Sequence, residues 1–299
     1  MFPAASYLPL HPFTRREIAG ETNSHPFLTG FMTTGELPKS LPRFKPVSER
    51  EVYVGGMPSV CLGPAHDSGL WFKGFEQTYL ERDIRGIEDP LSFRRLIRLA
   101  ALRTGNLFSP SELARDAKLT SATAARYLGL MELSFVASRL PPFLKNRASR
   151  LIKSPKFYMS DSGVACHLAG VAGEGLLRSF PSFGALFETY AWNNLAAILS
   201  ARQPEAGLSF WGVQGRHEVD FVIESGADCW AVEVKAAILA YSWSRRFVER
   251  RVRGSIGRST WYNDLAEFFG SEKINVDRHP PYSCQRAARV RQDVLERLA

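Results

Sequence analysis

The most informative absence in this 299-residue sequence is a phosphate-binding loop. A lysine followed by Ser or Thr occurs only at Lys39 and Lys153, and neither completes a G-x-x-x-x-G-K-[ST] pattern. The glycine pair at 55–56 lacks the flanking strand and helix of a phosphate cradle, so we expect a plain turn there. We therefore expect no ATP binding and no ATPase activity from this chain.

Cysteines and long apolar runs are also scarce. The four cysteines are scattered, without a CxxC or Cys/His cluster, which argues against a zinc site or a disulfide framework. No apolar run approaches the roughly 18 residues that cross a bilayer, and the first twenty residues do not resemble a secretory signal. These absences predict a soluble protein without membrane contact in a reducing cytoplasm.

Acidic residues are missing from one stretch of the sequence, although they are common elsewhere in the chain. The formal net charge is +8, which favours a polyanionic partner, above all nucleic acid. Residues 139–156 contain six basic side chains and no acidic one. Such a stretch is typical of a surface that contacts phosphates.

Residues 109–140 predict a helix-turn-helix. Ser109 and Glu112 form a capping box ahead of a short helix that ends at Ala117, and Ser121 can cap a second helix. The second helix should bury one face, made by Leu128, Met131 and Phe135, and leave Ser121, Thr123 and Arg126 outside. A strand-like segment and the basic stretch follow in the position of a wing. An amphipathic helical hairpin without DNA binding is the alternative.

Residues 208–237 predict three short strands that carry acidic side chains. Alternation in the third strand sets Glu233 and Lys235 on one face. A hairpin loop over residues 225–228 would place Asp220 opposite Glu233. Paired carboxylates are hard oxygen ligands for Mg²⁺ or Mn²⁺, although a cross-strand ion pair on a solvated face fits the same spacing.

A long helix is expected upstream of these strands, from residue 183 to about 201. It carries Glu188 near its start. This carboxylate is a candidate third metal ligand, while an acidic partner of the helix dipole is the commoner role of such a residue.

Four segments resemble a widespread prokaryotic family of AAA-type ATPases whose C-terminal half is a domain of unknown function. They are TYLERDI (residues 78–84), RLPPFLKNRASRLIKSPKFYMSDSG (139–163), GALFETYAWNNL (184–195) and EVDFVIE with VEVKA (218–236). The resemblance covers about residues 5–237. It implies an ATPase module, a winged helix, and a fold like that of PD-(D/E)xK restriction endonucleases.

The resemblance also implies roles for particular residues. Glu188, Asp220 and Glu233 would bind Mg²⁺, and Asp220, Glu233 and Lys235 would form the catalytic set. Apart from the resemblance, the outer side of the second helix and the basic stretch predict the DNA contacts, which are Ser121, Thr123, Arg126, Arg139, Lys145, Arg147, Arg150 and Lys153.

The expected fold is α/β (α+β), in four parts. Residues 1–74 would be the remnant of an ATPase module and a linker, 75–170 a winged helix-turn-helix domain, 171–240 a nuclease-like mixed sheet flanked by helices, and 241–299 a divergent basic tail. The family's nucleotide site would lie before Met1, and the residues after Lys235 depart from the family's pattern.

The sequence predicts a DNA-binding protein and leaves enzymatic activity open. Metal-dependent phosphodiester cleavage, a non-catalytic DNA- or protein-binding module and a truncated ATPase-family product remain the alternatives.

Overall fold

The computed structural model describes residues 9–34, 46–63, 68–79, 87, 89–144, 150, 153–213, 217–234 and 289–290 of the chain. This part of the chain is a mixed α/β structure, as expected. The helices are α1 (Arg15–Ile18), α2 (Phe27–Thr34), α3 (Glu49–Val54), α4 (Pro58–Cys61), α5 (Ser68–Thr78), α6 (Pro90–Ala101), α7 (Pro110–Ala117), α8 (Ser121–Leu133), α9 (Ser162–Ala169) and α10 (Phe183–Arg202). The strands are β1 (Asn106–Leu107), β2 (Ala137–Leu140), β3 (Lys156–Met159), β4 (Gly207–Val213), β5 (His217–Ser225), β6 (Asp228–Val232) and β7 (Arg289–Val290).

Side-chain caps define the ends of α6, α7 and α8. Asp89 accepts a hydrogen bond from Ser92 N at the start of α6, and Ser109 accepts one from Glu112 N at the start of α7. Helix α7 ends at Lys118, which adopts a left-handed conformation with φ 57°. Thr120 rather than Ser121 caps α8, because its hydroxyl accepts a hydrogen bond from Thr123 N. The two helices and the tight turn between them were therefore predicted correctly, apart from this one-residue shift.

The first sheet has three antiparallel strands in the order β1-β3-β2. Asn106 pairs with Phe157, and Ala137 pairs with Met159, so β3 lies in the middle. Gly105 begins this sheet with φ +74°, and a Cβ there would lie 3.0 Å from Ala185 O of α10. The sheet thus approaches α10 closely at a position that only glycine suits.

The predicted burial of Phe135 was wrong. Its side chain is 56% exposed and its φ is 60°. The chain turns sharply after α8, so Val136 and not Phe135 faces the core.

Helix α9 was not predicted. Asp161 caps it by accepting a hydrogen bond from Val164 N at 2.9 Å. Its residues from Ser162 to Cys166 are all buried, so the helix lacks the polar face that reveals an amphipathic helix in a sequence.

The second sheet has the order β4-β5-β6-β7. Strands β5 and β6 form the predicted hairpin, in which Ser225 pairs with Asp228 across a turn that contains Gly226. Strand β7 pairs in parallel with β6. Apart from its two residues, the predicted basic tail lies outside the described residues.

A β-bulge interrupts the pairing of β4 with β5. Ser209 pairs with Val222 and Trp211 with Val219, so two residues of β5 lie opposite the single residue Phe210. The two are Asp220 and Phe221. A bulge changes the direction of the side chains at its position. Here it separates Val219, in a small outer cluster, from Phe221, in the main core.

The main core runs through most of the described chain. Its buried members extend from Leu28 in α2 to Val234 just after β6. The second sheet packs its inner face, with Phe221 and Val232, into this core. Its outer face carries the small cluster, against which Phe143 of the segment after β2 packs.

Candidate functional site

The side chain of Lys156 lies in a cluster of three carboxylates, of which Glu188 and Asp220 are largely buried and Glu218 is exposed. Only 2% of the Lys156 side chain is exposed. Its Nζ lies 2.7 Å from Glu188 Oε1, 2.5 Å from Glu218 Oε1 and 3.7 Å from Asp220 Oδ1. The ring of Phe210 lies 5.8 Å away. One ammonium group therefore meets carboxylates from α10 and β5.

Glu188 is held by two donors of the same strand. Lys156 and Tyr158 are two residues apart in β3, so alternation sets both side chains on one face. The hydroxyl of Tyr158 donates a short hydrogen bond to Glu188 Oε1, the atom that also accepts from Lys156. The predicted helix carboxylate is thus bound to the first sheet.

Asp220 is held at the bulge of β5. Its Oδ2 accepts a hydrogen bond from Val234 N at 2.7 Å, while its Oδ1 faces Lys156. The β5–β6 register pairs Phe221 with Val232. Continued by one residue, it sets Asp220 opposite Glu233, as the sequence predicts, and Glu233 is buried at 8% exposure. Lys235 lies outside the described residues.

The electrostatics of the cluster follow from burial and from neighbouring charge. Burial alone would lower the pKa of Lys156, but the negative charges of Glu188, Asp220 and Glu218 outweigh it and raise that pKa above its ordinary value. Burial and the charge of Asp220 raise the pKa of Glu188 to about 7, against the opposing effect of Lys156 and Tyr158. The ammonium of Lys156 is therefore the firmly charged member of the cluster.

The cluster has suitable donors for Mg²⁺ but the wrong arrangement. Carboxylate oxygens are the donors that Mg²⁺ prefers. However, the ammonium of Lys156 lies where these oxygens converge, and both oxygens of Asp220 face protein donors. Within the described ranges, no group of three or more His, Cys, Asp or Glu side chains is arranged to hold a metal ion. As arranged, the described residues do not fit a divalent ion, and the Mg²⁺ site that includes Glu233 stays a prediction.

The predicted DNA-contacting residues of α8 lie at the surface. Ser121 and Arg126 are exposed and Thr123 is half-buried, while Tyr127 and Leu128 face the core. This distribution leaves the polar side of α8 accessible.

The residues of the predicted basic wing differ in their exposure to solvent. Arg139 is exposed, although its Nε lies 2.7 Å from Glu132 Oε1. Lys153 is exposed, whereas Arg150 forms an ion pair with Glu224 and only 15% of its side chain is exposed. Lys145 and Arg147 lie outside the described residues. The interpretation of Lys156 as part of a phosphate-contacting surface was wrong, because that side chain is buried among carboxylates.

The segment after β2 is bound to the second sheet. Phe143 N donates to Phe210 O at 2.5 Å, and Phe210 N donates to Pro141 O at 3.0 Å. These bonds place the segment along β4. The basic stretch therefore begins as an addition to the edge of the second sheet.

Sequence reasoning missed Lys156, Tyr158 and Glu218 as members of the cluster. A signal for the first two was present, because a lysine and a tyrosine two residues apart in an apolar strand share a face. Glu218 gave no such signal, since its contact with Lys156 depends on where β3 and β5 meet in the fold.

Comparison with known proteins divides the chain in two. Residues 47–175 match the family described as Domain of unknown function (DUF8612), and residues 183–249 match Domain of unknown function (DUF4143). The first match contains α3–α9 with the three-stranded sheet, and the second contains α10 and strands β4–β6. Lys156 therefore lies in one match, and its carboxylate partners lie in the other.

The chain is also similar to two longer mycobacterial proteins. They are the uncharacterized protein Rv2008c of Mycobacterium tuberculosis and the uncharacterized protein Mb2031c of Mycobacterium bovis. Each is 33% identical over 185 residues, which is 60% of this chain and 41% of the relative. The chain thus matches less than half the length of these relatives. No solved structure matches it, and no helix within the described ranges is both long and apolar enough to span a membrane.

Proposed function

We propose that this protein binds DNA through a winged helix formed by residues 90–159. The observation that carries the proposal is the order and pairing of the elements. Helix α6, strand β1, helices α7 and α8, and strands β2 and β3 follow one another, and β3 pairs between β1 and β2. A helix-turn-helix followed by a two-stranded wing has this arrangement, and its second helix enters the major groove.

The surface of α8 supports the same proposal. Arg126 is exposed, and so are the small residues Ala122 and Ala125. Small side chains allow a helix to approach base edges closely, and alanine can contact the methyl group of thymine. Lys118 in the preceding turn is exposed as well and is placed to contact a phosphate.

We further propose that the second half of the chain is related to PD-(D/E)xK nucleases and that the chain is related to AAA-type ATPases. The succession of α10 with Glu188, β5 with Asp220, and Glu233 after β6 supports the first relation. The match of residues 183–249 to a domain of unknown function, the kind of domain named in the resemblance, supports the second.

Metal-dependent cleavage of bound DNA is the second candidate function. The register that sets Asp220 opposite Glu233 favours it. We place it second because the ammonium of Lys156 already pairs with Glu188 and lies near Asp220. Mn²⁺-dependent cleavage that is lost in Asp220→Asn would raise it to first place.

Fluorescence anisotropy with a labelled duplex of mixed sequence, about 30 base pairs long, tests DNA binding. We expect binding that weakens by orders of magnitude between about 50 mM and 200 mM salt. Arg126→Ala should weaken it severalfold, because an exposed arginine of α8 is placed to neutralise a phosphate of the duplex. Lys73→Ala, which removes an exposed charge from α5, serves as the control. Absence of duplex binding at low salt, or equal effects of the two variants, would refute the proposal.

A further inference from the structure

We infer that Lys156 is a built-in cation that takes the place of a metal ion in the carboxylate cluster and joins the two halves of the chain. The inference concerns the cluster alone and does not depend on DNA binding. Its basis is that the ammonium of a 2%-exposed side chain lies 2.7 Å from Glu188 and 2.5 Å from Glu218, with Asp220 at 3.7 Å.

The position of the ammonium excludes a second cation from the same point. A divalent ion would need carboxylate oxygens at roughly 2.0–2.6 Å. Glu188 Oε1 already accepts hydrogen bonds from both Lys156 and Tyr158, and Asp220 Oδ2 accepts one from Val234 N. These oxygens thus accept hydrogen bonds from donors of the protein, and among these donors the ammonium of Lys156 supplies the positive charge that a metal would otherwise supply.

The cluster also lies where the first sheet meets α10 and the second sheet. Lys156 belongs to β3, the central strand of the first sheet, while Glu188 belongs to α10 and Glu218 and Asp220 belong to β5. The segment that leads from β2 towards β3 is hydrogen-bonded to β4 at Phe210. Lys156 therefore connects β3, the second strand of the proposed wing, to the helix and sheet that carry the nuclease-like pattern.

A buried ion pair of this kind is sensitive to the loss of one partner. Removal of the ammonium would leave the carboxylates of Glu188 and Asp220 without this cation, and the loss of one partner from a buried ion pair is strongly destabilising. Those carboxylates would then form an oxygen-lined space suited to a divalent ion. Loss of the lysine should therefore both weaken the protein and create a response to metal that the wild type lacks.

Thermal unfolding with and without metal tests this inference. The melting temperature of the wild type should be the same in EDTA and in excess Mn²⁺. Lys156→Met, which keeps the length of the side chain but removes its charge, should lower the melting temperature by roughly 10 °C. Addition of Mn²⁺ should recover part of that loss. Lys153→Met changes an exposed lysine three residues away and should alter neither value.

A second variant covers the case in which Lys156→Met does not fold. The double variant Lys156→Met/Glu188→Gln removes one negative charge together with the positive one, and it should be more stable than the single variant. If neither variant folds, direct titration of the wild type with Mn²⁺, followed by electron paramagnetic resonance, decides. No bound Mn²⁺ supports the inference.

Two results would overturn it. One is stoichiometric binding of Mn²⁺ by the wild type at a site that Asp220→Asn abolishes. The other is a Lys156→Met protein as stable as Lys153→Met. Either would show that the ammonium does not serve as the cation of the cluster.

Discussion

The guanidinium of Arg150 forms a two-point ion pair with Glu224 of β5, in which Nη2 lies 3.1 Å from Oε1. The same side chain lies 4.7 Å above the ring of Phe143 and donates from Nε to Leu144 O at 2.8 Å. Phe143 in turn packs on the outer face of the second sheet. Arg150 is therefore part of the contact that holds the segment after β2 on that sheet, and a phosphate contact would require it to leave Glu224.

This contact predicts different behaviour for two arginines in DNA binding. Arg126→Ala should reduce the slope of log affinity against log salt by about 1, because an exposed arginine on α8 is free to neutralise a phosphate. Arg150→Ala should leave the slope unchanged and lower thermal stability, because its charge is already paired and its side chain is largely buried. Anisotropy titrations at several salt concentrations, with melting curves, measure both effects.

Glu224→Gln is the matched control for this pair. It breaks the ion pair but keeps Arg150, so the arginine becomes available to DNA and the salt slope should rise. A fall in the slope for Arg150→Ala as large as that for Arg126→Ala would contradict the internal role of Arg150.

A second prediction concerns Gly55, at the end of α3. Its backbone has φ 70° and ψ −158°, a region that essentially only glycine occupies. A Cβ there would lie 2.3 Å from Asp161 Oδ1. Gly55→Ala should therefore lower the free energy of unfolding by about 2–4 kcal/mol, measured by urea denaturation.

Gly74→Ala provides the comparison. Gly74 is exposed in α5, and an added Cβ would meet nothing within 4 Å. Alanine should stabilise this helix by about 0.5–1 kcal/mol. Equal effects at the two positions would show that neither the backbone conformation of Gly55 nor its approach to Asp161 matters.

Local signals made much of the fold predictable. The caps at Asp89 and Ser109 defined the starts of two helices, and the turn at Gly226 defined the hairpin that sets Asp220 opposite Glu233. These features depend on residues close together in the chain. Helix α9 has a cap at Asp161 but no amphipathic pattern, because almost all of its side chains are buried.

The candidate site was predictable only in part. Glu188 and Asp220 both lie near the ammonium of Lys156, whereas their pattern predicted that they would share a metal ion. The bulge opposite Phe210 and the approach of β3 to α10 arise from packing between distant segments, which periodicity does not report. The pairing of Arg150 with Glu224, 74 residues apart, escaped sequence reasoning for the same reason.

A third prediction concerns the pH dependence of stability at Asp161. Burial raises the pKa of this carboxyl from 3.8 to about 6, although hydrogen bonds from Gly56 N and Val164 N oppose the shift. The folded state thus retains a proton that the unfolded state has already released between these values. The associated stability is fully present below about pH 4 and is lost as the pH rises through 6, by up to about 3 kcal/mol.

Asp161→Asn removes this titration while keeping an acceptor oxygen. The free energy of unfolding of the wild type, minus that of the variant, should therefore fall as the pH rises from about 4 to 7. Chemical denaturation at several pH values measures the difference. A constant difference would mean that the pKa of Asp161 is the same in the folded and unfolded states, and a difference that rises with pH would mean that folding lowers this pKa.

The last prediction concerns a chain of hydrogen bonds that joins the first sheet to α10. Met159 N donates to Thr104 Oγ1 at 3.1 Å, the hydroxyls of Thr104 and Thr189 lie 2.7 Å apart, and Thr189 donates to Ala185 O at 2.8 Å. Because Thr189 already donates to Ala185, Thr104 is the donor between the two hydroxyls. Thr104→Val keeps the shape of the side chain but leaves the buried Met159 N–H without its acceptor. We expect the free energy of unfolding to fall by about 1–3 kcal/mol, measured by urea denaturation.

Thr104→Ser is the control for this prediction. It keeps the hydroxyl and should lower the free energy of unfolding clearly less, since it removes only a methyl group. If serine and valine cost the same, packing rather than the hydrogen-bond chain would hold β3 against α10, and the position of Lys156 beside Glu188 would depend on packing in the same way.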